Sequence, residues 1–178
     1  MKNNFTLSIY SDNSPGLLHR ITVLFTRRKL NIESLTVSET ETSGISRFTI
    51  VVNSDFDTAT KVAKQIRRII EVHEVFVSRD EELVVREVAI FKVNRDQSED
   101  LNSVACSYAM RTLHEHSDSI VLEMTGSEED INQALKALSP FGVKEFVRSG
   151  RIGVRRDGVT LKDVMETPLE EPSEGAWI

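Results

Sequence analysis

The chain has 178 residues, 39% hydrophobic and 28% charged, with a net charge of −6 and a pI of about 5.3. That is room for one domain or two small ones, and the acidic balance excludes nucleic acid as the default partner, because neutralising phosphates takes a clustered excess of Lys and Arg. A single cysteine, Cys106, has no internal disulfide partner and fits a reducing compartment; no apolar run reaches signal-peptide or membrane-span length, so a cytoplasmic protein with no membrane partner is expected.

Phe5, Leu7 and Ile9 alternate with Thr6, Ser8 and Tyr10, which predicts a half-buried strand. The turn Asp12-Asn13-Ser14-Pro15-Gly16 follows. Leu17, Leu18, Ile21, Leu24 and Phe25 then recur at helical spacing as far as Arg28. Residues 31–39 read as a strand, 41–44 as a turn, and Phe48, Ile50 and Val52 as the next strand. Thr58 is the expected N-cap of a second helix, whose apolar face is Ala59, Val62, Ala63, Ile66, Ile69 and Ile70; Val75 and Val77 mark a closing strand. Strand, helix, strand, strand, helix, strand leaves few topologies. The common solution is a ferredoxin-like sheet with both helices on one face. The other face needs cover, expected from a second copy, so dimerisation through the sheet edge or face is expected.

Arg79-Asp80-Glu81-Glu82 is a charged break. Beyond it come a long strand over 83–93, a polar segment over 94–100 and a helix over 101–113. Ile120, Leu122 and Met124 alternate in a strand. Ser127 to Asp130 resembles a capping box ahead of Ile131, Ala134, Leu135 and Leu138. Pro140-Phe141-Gly142 stops that helix, and 143–154 returns as strand. From Asp163 the chain is acidic and Pro-bearing, which reads as a mobile tail with Trp177 as its one group suited to docking on a partner. The expected fold is α+β, two tandem ferredoxin-like βαββαβ units over residues 1–79 and 83–158, the second a degenerate echo of the first, with a tail over 159–178.

Three constellations carry chemistry. The first is the turn before the first helix. A helix N-terminus has unpaired N–H groups and partial positive charge, which suit a carboxylate. Gly16 lets a ligand approach the backbone, Pro15 stiffens the loop, and Asn13 both donates and accepts. An ordinary strand-to-helix turn uses the same residues. The second is His114-Glu115-His116, which invites a metal reading but lacks an evident third ligand; solvated residues at a helix end are the simpler account. The third is the basic run from Arg148 to Arg156, either a contact for phosphate or an acidic surface or a strand edge guarded by arginine. No G-x-S-x-G, Walker A or H-E-x-x-H motif is present, so no catalytic residue and no metal site is assigned.

The run from Ser11 through Asp12-Asn13-Ser14-Pro15-Gly16-Leu17-Leu18 to Ile21, followed by Leu30-Asn31-Ile32-Glu33-Ser34-Leu35, resembles the N-terminal ACT domain of the acetolactate synthase small subunit family. Ser46-Arg47-Phe48-Thr49-Ile50 matches that family's next strand, and Val147-Arg148-Ser149-Gly150-Arg151-Ile152-Gly153 resembles its ending. The resemblance covers residues 5–158. It implies an ACT domain followed by a second ACT-like domain in a non-catalytic regulatory subunit. Such a subunit activates a catalytic subunit that carries thiamine diphosphate, magnesium and FAD, and has no cofactor of its own. A branched-chain amino acid, usually valine, binds at a homodimer interface of ACT domains and inhibits. By motif match, Asn13, Gly16, Leu17 and Leu18 line one half of the effector site, and Asn31 and Ile32 come from the partner chain. Leu17 and Ile32 are the expected apolar contacts. Lys29 departs from the pattern, standing where the family commonly has glycine after the first helix; a left-handed residue there is strained for lysine. The alternatives are a stand-alone ACT-type amino-acid sensor of another enzyme, a small enzyme, and a nucleic-acid reader. The last needs stacking aromatics on its central strands, where residues 46–52 offer only Phe48.

Overall fold

The computed structural model describes residues 3–95 and 99–166, and these form two units. In the first, β1 (Asn3–Asp12), α1 (Leu17–Arg27), β2 (Ile32–Glu39), β3 (Ile45–Ser54), α2 (Phe56–Ile66) and β4 (Val72–Arg79) follow the expected order. The strands pair antiparallel in the order β2-β3-β1-β4. Register places Phe5, Leu7 and Ile9 opposite Val52, Ile50 and Phe48. Because strand side chains alternate between faces, these six share one side of the sheet. There they meet Leu17, Ile21 and Phe25 of α1 and Ala59, Val62, Ala63 and Ile66 of α2 in one buried cluster. Each large side chain buried in this way contributes about 1.5–3 kcal/mol, so the cluster fixes both helices on this face.

Asp55, not Thr58, caps α2. Its carboxylate accepts the Thr58 N–H at 2.8 Å and the Thr58 hydroxyl at 2.9 Å, so the helix starts earlier than its apolar pattern suggests. The helix also stops at Ile66. Ile69 still packs on the core, but Ile70, expected on the buried face, is 95% exposed.

The opposite sheet face holds Thr6, Ser8, Thr49, Val51, Phe76 and Ser78, all buried. The chain's own C-terminal segment covers part of it, where a second copy was expected. In that segment the Arg155 guanidinium lies 4.3 Å from the Phe76 ring centroid and Gly153 accepts a hydrogen bond from Arg47.

The second unit is Val85–Ile152. Its elements are β5 (Leu83–Asn94), which starts before the boundary, α3 (Glu99–Ser107), β6 (Arg111–Glu115), β7 (Ser119–Gly126), α4 (Glu128–Leu138) and β8 (Val143–Arg148). The sheet order β6-β7-β5-β8 repeats that of the first unit, so the echo is a repeat of topology. Ser127 and Asp130 form the expected capping box. The helix expected over 101–113 ends at Ser107, because Ala109 turns left-handed at φ 50 and 111–115 pairs with β7 as an edge strand. Every residue of β6 is exposed, so it has no apolar alternation to announce it.

The strand expected over 143–154 is two strands, β8 and β9 (Ile152–Arg155), interrupted at 149–151. From Gly153 the chain groups with the first unit. Arg156 donates its N–H to the Glu82 carbonyl at 2.9 Å and its Nε to that of Leu83 at 3.0 Å. Residues 161–166 of the expected tail form α5 (Leu161–Glu166), with Leu161 buried. Trp177 lies outside the described residues.

Candidate functional site

The β1–α1 turn is built by backbone bonds. Asp12 N–H donates to the Glu71 carbonyl at 2.9 Å and Asn13 N–H to that of Gly44 at 2.8 Å; Ser14 N–H closes back on Asp12. Gly16 follows at φ 80 and ψ −7, a left-handed conformation that a side chain resists. It delivers the chain into α1 with no side-chain cap and no acidic residue in the first turn. The first helical bond runs from Arg20 N–H to the Gly16 carbonyl at 3.2 Å. The N–H groups of Gly16, Leu18 and His19 have no backbone acceptor among the described residues. The helix thus presents donors and its positive end outward.

Around this turn, Asn13 is exposed and Leu18 is 41% exposed. Leu17 is not available as an apolar wall. Its side chain is 1% exposed within the first core, because the residue that starts the helix also starts its buried stripe; only its backbone borders the turn. Asn31 is exposed at the end of the α1–β2 connection, where its Nδ2 donates to Glu33 Oε1 at 3.0 Å. Ile32 is half-buried against the same core, which leaves it a partial surface. Lys29 adopts φ 53, the left-handed backbone expected at the position where glycine is common.

Two side-chain contacts that no local motif announces brace the turn from β4 and the residue before it. His73 Nε2 lies 2.8 Å from Asp12 Oδ1, and Arg20 Nη2 lies 2.5 Å from Glu71 Oε1. The Arg20 hydrogen bond is the main cause that holds Glu71 below the ordinary carboxylate range, and the same bond raises Arg20. The pairing of β1 with β4, Tyr10 opposite Glu74 and Ser11 opposite Val72, is what brings these residues to the turn. Topology was the one available signal for them.

The other constellations resolve into internal structure. Glu115 pairs with Arg95 at 3.0 Å and His116 with Asp118 at 2.8 Å. No group of three metal-type ligands occurs among the described residues. In the basic run, Arg148 and Arg151 stand 3.6 and 4.0 Å from buried Glu87, Arg151 also 3.7 Å from Glu128, and Arg155 pairs with Asp157. Those cations serve the fold.

Residues 7–74 match the family described as AHAS small subunit-like ACT domain, and residues 86–157 the one described as small subunit of acetolactate synthase. An acetolactate synthase small subunit from Bacillus subtilis is 36% identical over 159 residues, which is 88% of this chain and 91% of that protein. One from Mycobacterium bovis is 34% identical over 154 residues, 85% of this chain and 91% of that protein. The crystal structure of an acetolactate synthase small subunit from Thermotoga maritima aligns with a TM-score of 0.80 at 29% identity, covering 88% of this chain and 99% of that one.

Proposed function

We propose, because the chain belongs to the family of acetolactate synthase small subunits, that it activates an acetolactate synthase catalytic subunit and makes that enzyme sensitive to valine. The reading assigns the chemistry, with thiamine diphosphate, magnesium and FAD, to the catalytic subunit and no cofactor to this chain. A homodimer of first units holds the amino acid. Its carboxylate takes the free N–H groups at the start of α1, and Asn13 and the partner protomer's copy of Asn31 meet its ammonium through amide oxygens. Leu18 and the partner protomer's copy of Ile32 are the apolar surfaces left to receive the side chain.

The observation that carries this reading is the uncapped helix start behind left-handed Gly16, with Asn13 exposed beside it. Donors without partners at a positive helix end favour a carboxylate. Binding regulates only if the effector prefers one of two arrangements of the assembly, since equal affinity for both shifts nothing.

The test is reconstitution. The chain is mixed with an acetolactate synthase catalytic subunit, and product formation is followed while valine is titrated. Wild type is expected to raise the rate and then lose it to valine, whereas Asn13→Ala raises the rate and resists valine. Equal valine sensitivity of the two proteins would defeat the site assignment. Valine binding without any effect on the catalytic subunit would favour a sensor for a different enzyme.

A further inference from the structure

On the sheet face turned away from α1 and α2, the first unit contains a cavity of about 460 Å³ that the turn does not use. Its base is a cross-strand row in which Ser38 and Tyr10 flank Arg47. Its wall is the chain's own segment 154–161, and every lining residue belongs to the first unit.

Three charged residues of this cavity, Arg47, Glu39 and Glu41, have no ionic partner among the described residues. Arg47 Nη2 donates to Ser8 Oγ at 3.1 Å and to the Gly153 carbonyl, its guanidinium sits 5.3 Å from the Tyr10 ring centroid, and its Nε is buried with no acceptor. No carboxylate pairs with Arg47 among the described residues. Glu39 and Glu41 line the same cavity. Glu39 accepts only the Gly44 N–H, at 3.2 Å, and neither glutamate has a cation partner among the described residues. Arg155, also on the wall, is matched by Asp157.

Arg47 and Glu41 therefore border one space without pairing, whereas Glu39 alternates with Ser38 along β2 and its side chain belongs to the opposite sheet face. An inorganic anion would leave Glu41 unbalanced, and a simple cation would meet Arg47. A zwitterion matches both, with its carboxylate on Arg47, where a charge-assisted bond is strong, and its ammonium on Glu41. The Tyr10 ring and exposed Val159 offer apolar surface to a side chain. The volume falls in the range of small-molecule sites. We propose that this cavity is a second binding site for a free α-amino acid with an apolar side chain, separate from the turn at residues 13–16.

Isothermal titration of the full chain with L-leucine tests this, with 4-methylpentanoate (no ammonium) and 3-methylbutylamine (no carboxylate) as matched probes. Two classes of site are expected, and Arg47→Gln should weaken one of them at least about tenfold, the scale of a lost hydrogen bond to a charged group. Glu41→Gln should weaken the same class; Glu41 is exposed on a turn, so this variant reports even if Arg47→Gln fails to fold. Neither analogue should match leucine there. A wild-type pattern in both variants, or 4-methylpentanoate binding as tightly as leucine, overturns the proposal. A single class lost in Asn13→Ala and untouched in Arg47→Gln overturns it while leaving the turn site standing. A single class lost only in Arg47→Gln supports it and removes the turn site instead.

Discussion

Replacing Lys29 with glycine should stabilise the protein. Lys29 sits at φ 53, and two bonds of 3.0 Å enforce this. Its own N–H donates to the Thr26 carbonyl, and the Leu30 N–H donates to that of Phe25. This is the pattern of bonds that closes a helix on a left-handed residue, usually glycine. Leu30 packs against the first core, so the connection cannot relax without losing that contact. A left-handed residue bearing a Cβ costs about 1–2 kcal/mol. Glycine removes that cost but loses about 0.5–1 kcal/mol more in chain entropy on folding. The difference favours Lys29→Gly by about 0.5–1 kcal/mol, and Lys29→Val should lose stability because a β-branched side chain tolerates this backbone least. Ala109 supplies an internal repeat of the experiment. It has φ 50, its N–H reaches the Cys106 carbonyl at 3.0 Å, and Met110 N–H reaches that of Ala105 at 2.8 Å. Ala109→Gly should gain a similar amount, and the double variant should sum because the sites share no partner. Urea unfolding followed by circular dichroism measures each step. A neutral or destabilising Lys29→Gly would refute the argument that this connection is strained.

Gly16→Asp should raise the valine concentration needed for inhibition while activation persists. Its φ of 80 gives any side chain strain of about 1–2 kcal/mol, and its charge competes with the effector carboxylate; the reconstituted assay measures both effects. Asp118 accepts hydrogen bonds from Lys144, His116 and Ser119, which hold its carboxyl far below the ordinary range. A lowered carboxylate pKa stabilises the fold above the ordinary carboxylate value, and that stability is lost as pH falls through the lowered value. Asp118→Asn should therefore destabilise near neutral pH, with the gap from wild type closing in acid. Glu87 has the opposite sign, since burial, with the nearby Glu128 charge, raises it more than Arg148 and Arg151 lower it. Its contribution is present at low pH and fades as pH rises through the raised value, so Glu87→Gln should improve relative to wild type from acid towards neutrality in unfolding curves. A chain lacking everything after Ile152 should bind the dye ANS more strongly than the full chain, because Phe76 loses the Arg155 cover.

The strands and helices that bury one face were legible because Phe5, Leu7 and Ile9, and Ile21 and Phe25, repeat at the periods of their elements. The turn was legible from residue types alone, since Pro15 and Gly16 suit few other backbones. What escaped the sequence had no periodicity to carry it. Exposed β6 buries nothing, and the left-handed Ala109 that ends α3 is not a residue type that marks such a turn. The return of residues 153–161 to the first sheet depends on Arg47, Phe76 and Arg155, which lie far apart in the chain. Leu17 was assigned to the ligand by its place in the motif, but its position on the helical stripe put it in the core. The contacts of His73 and Glu71 at the turn needed the β1–β4 pairing before they had a location.

The central claim is that each effector lies between the turn of one protomer and Asn31 of the other. Mixed dimers test it most directly. Asn13→Ala and Asn31→Ala homodimers each have both shared sites damaged, but a two-fold dimer combining the two variants carries one intact site. With random exchange, half of the dimers are mixed, so the mixture should recover about one quarter of the wild-type valine capacity above either variant alone. Calorimetry on the pre-equilibrated mixture reads that increment. A mixture that binds no more valine than its separate components would contradict the account.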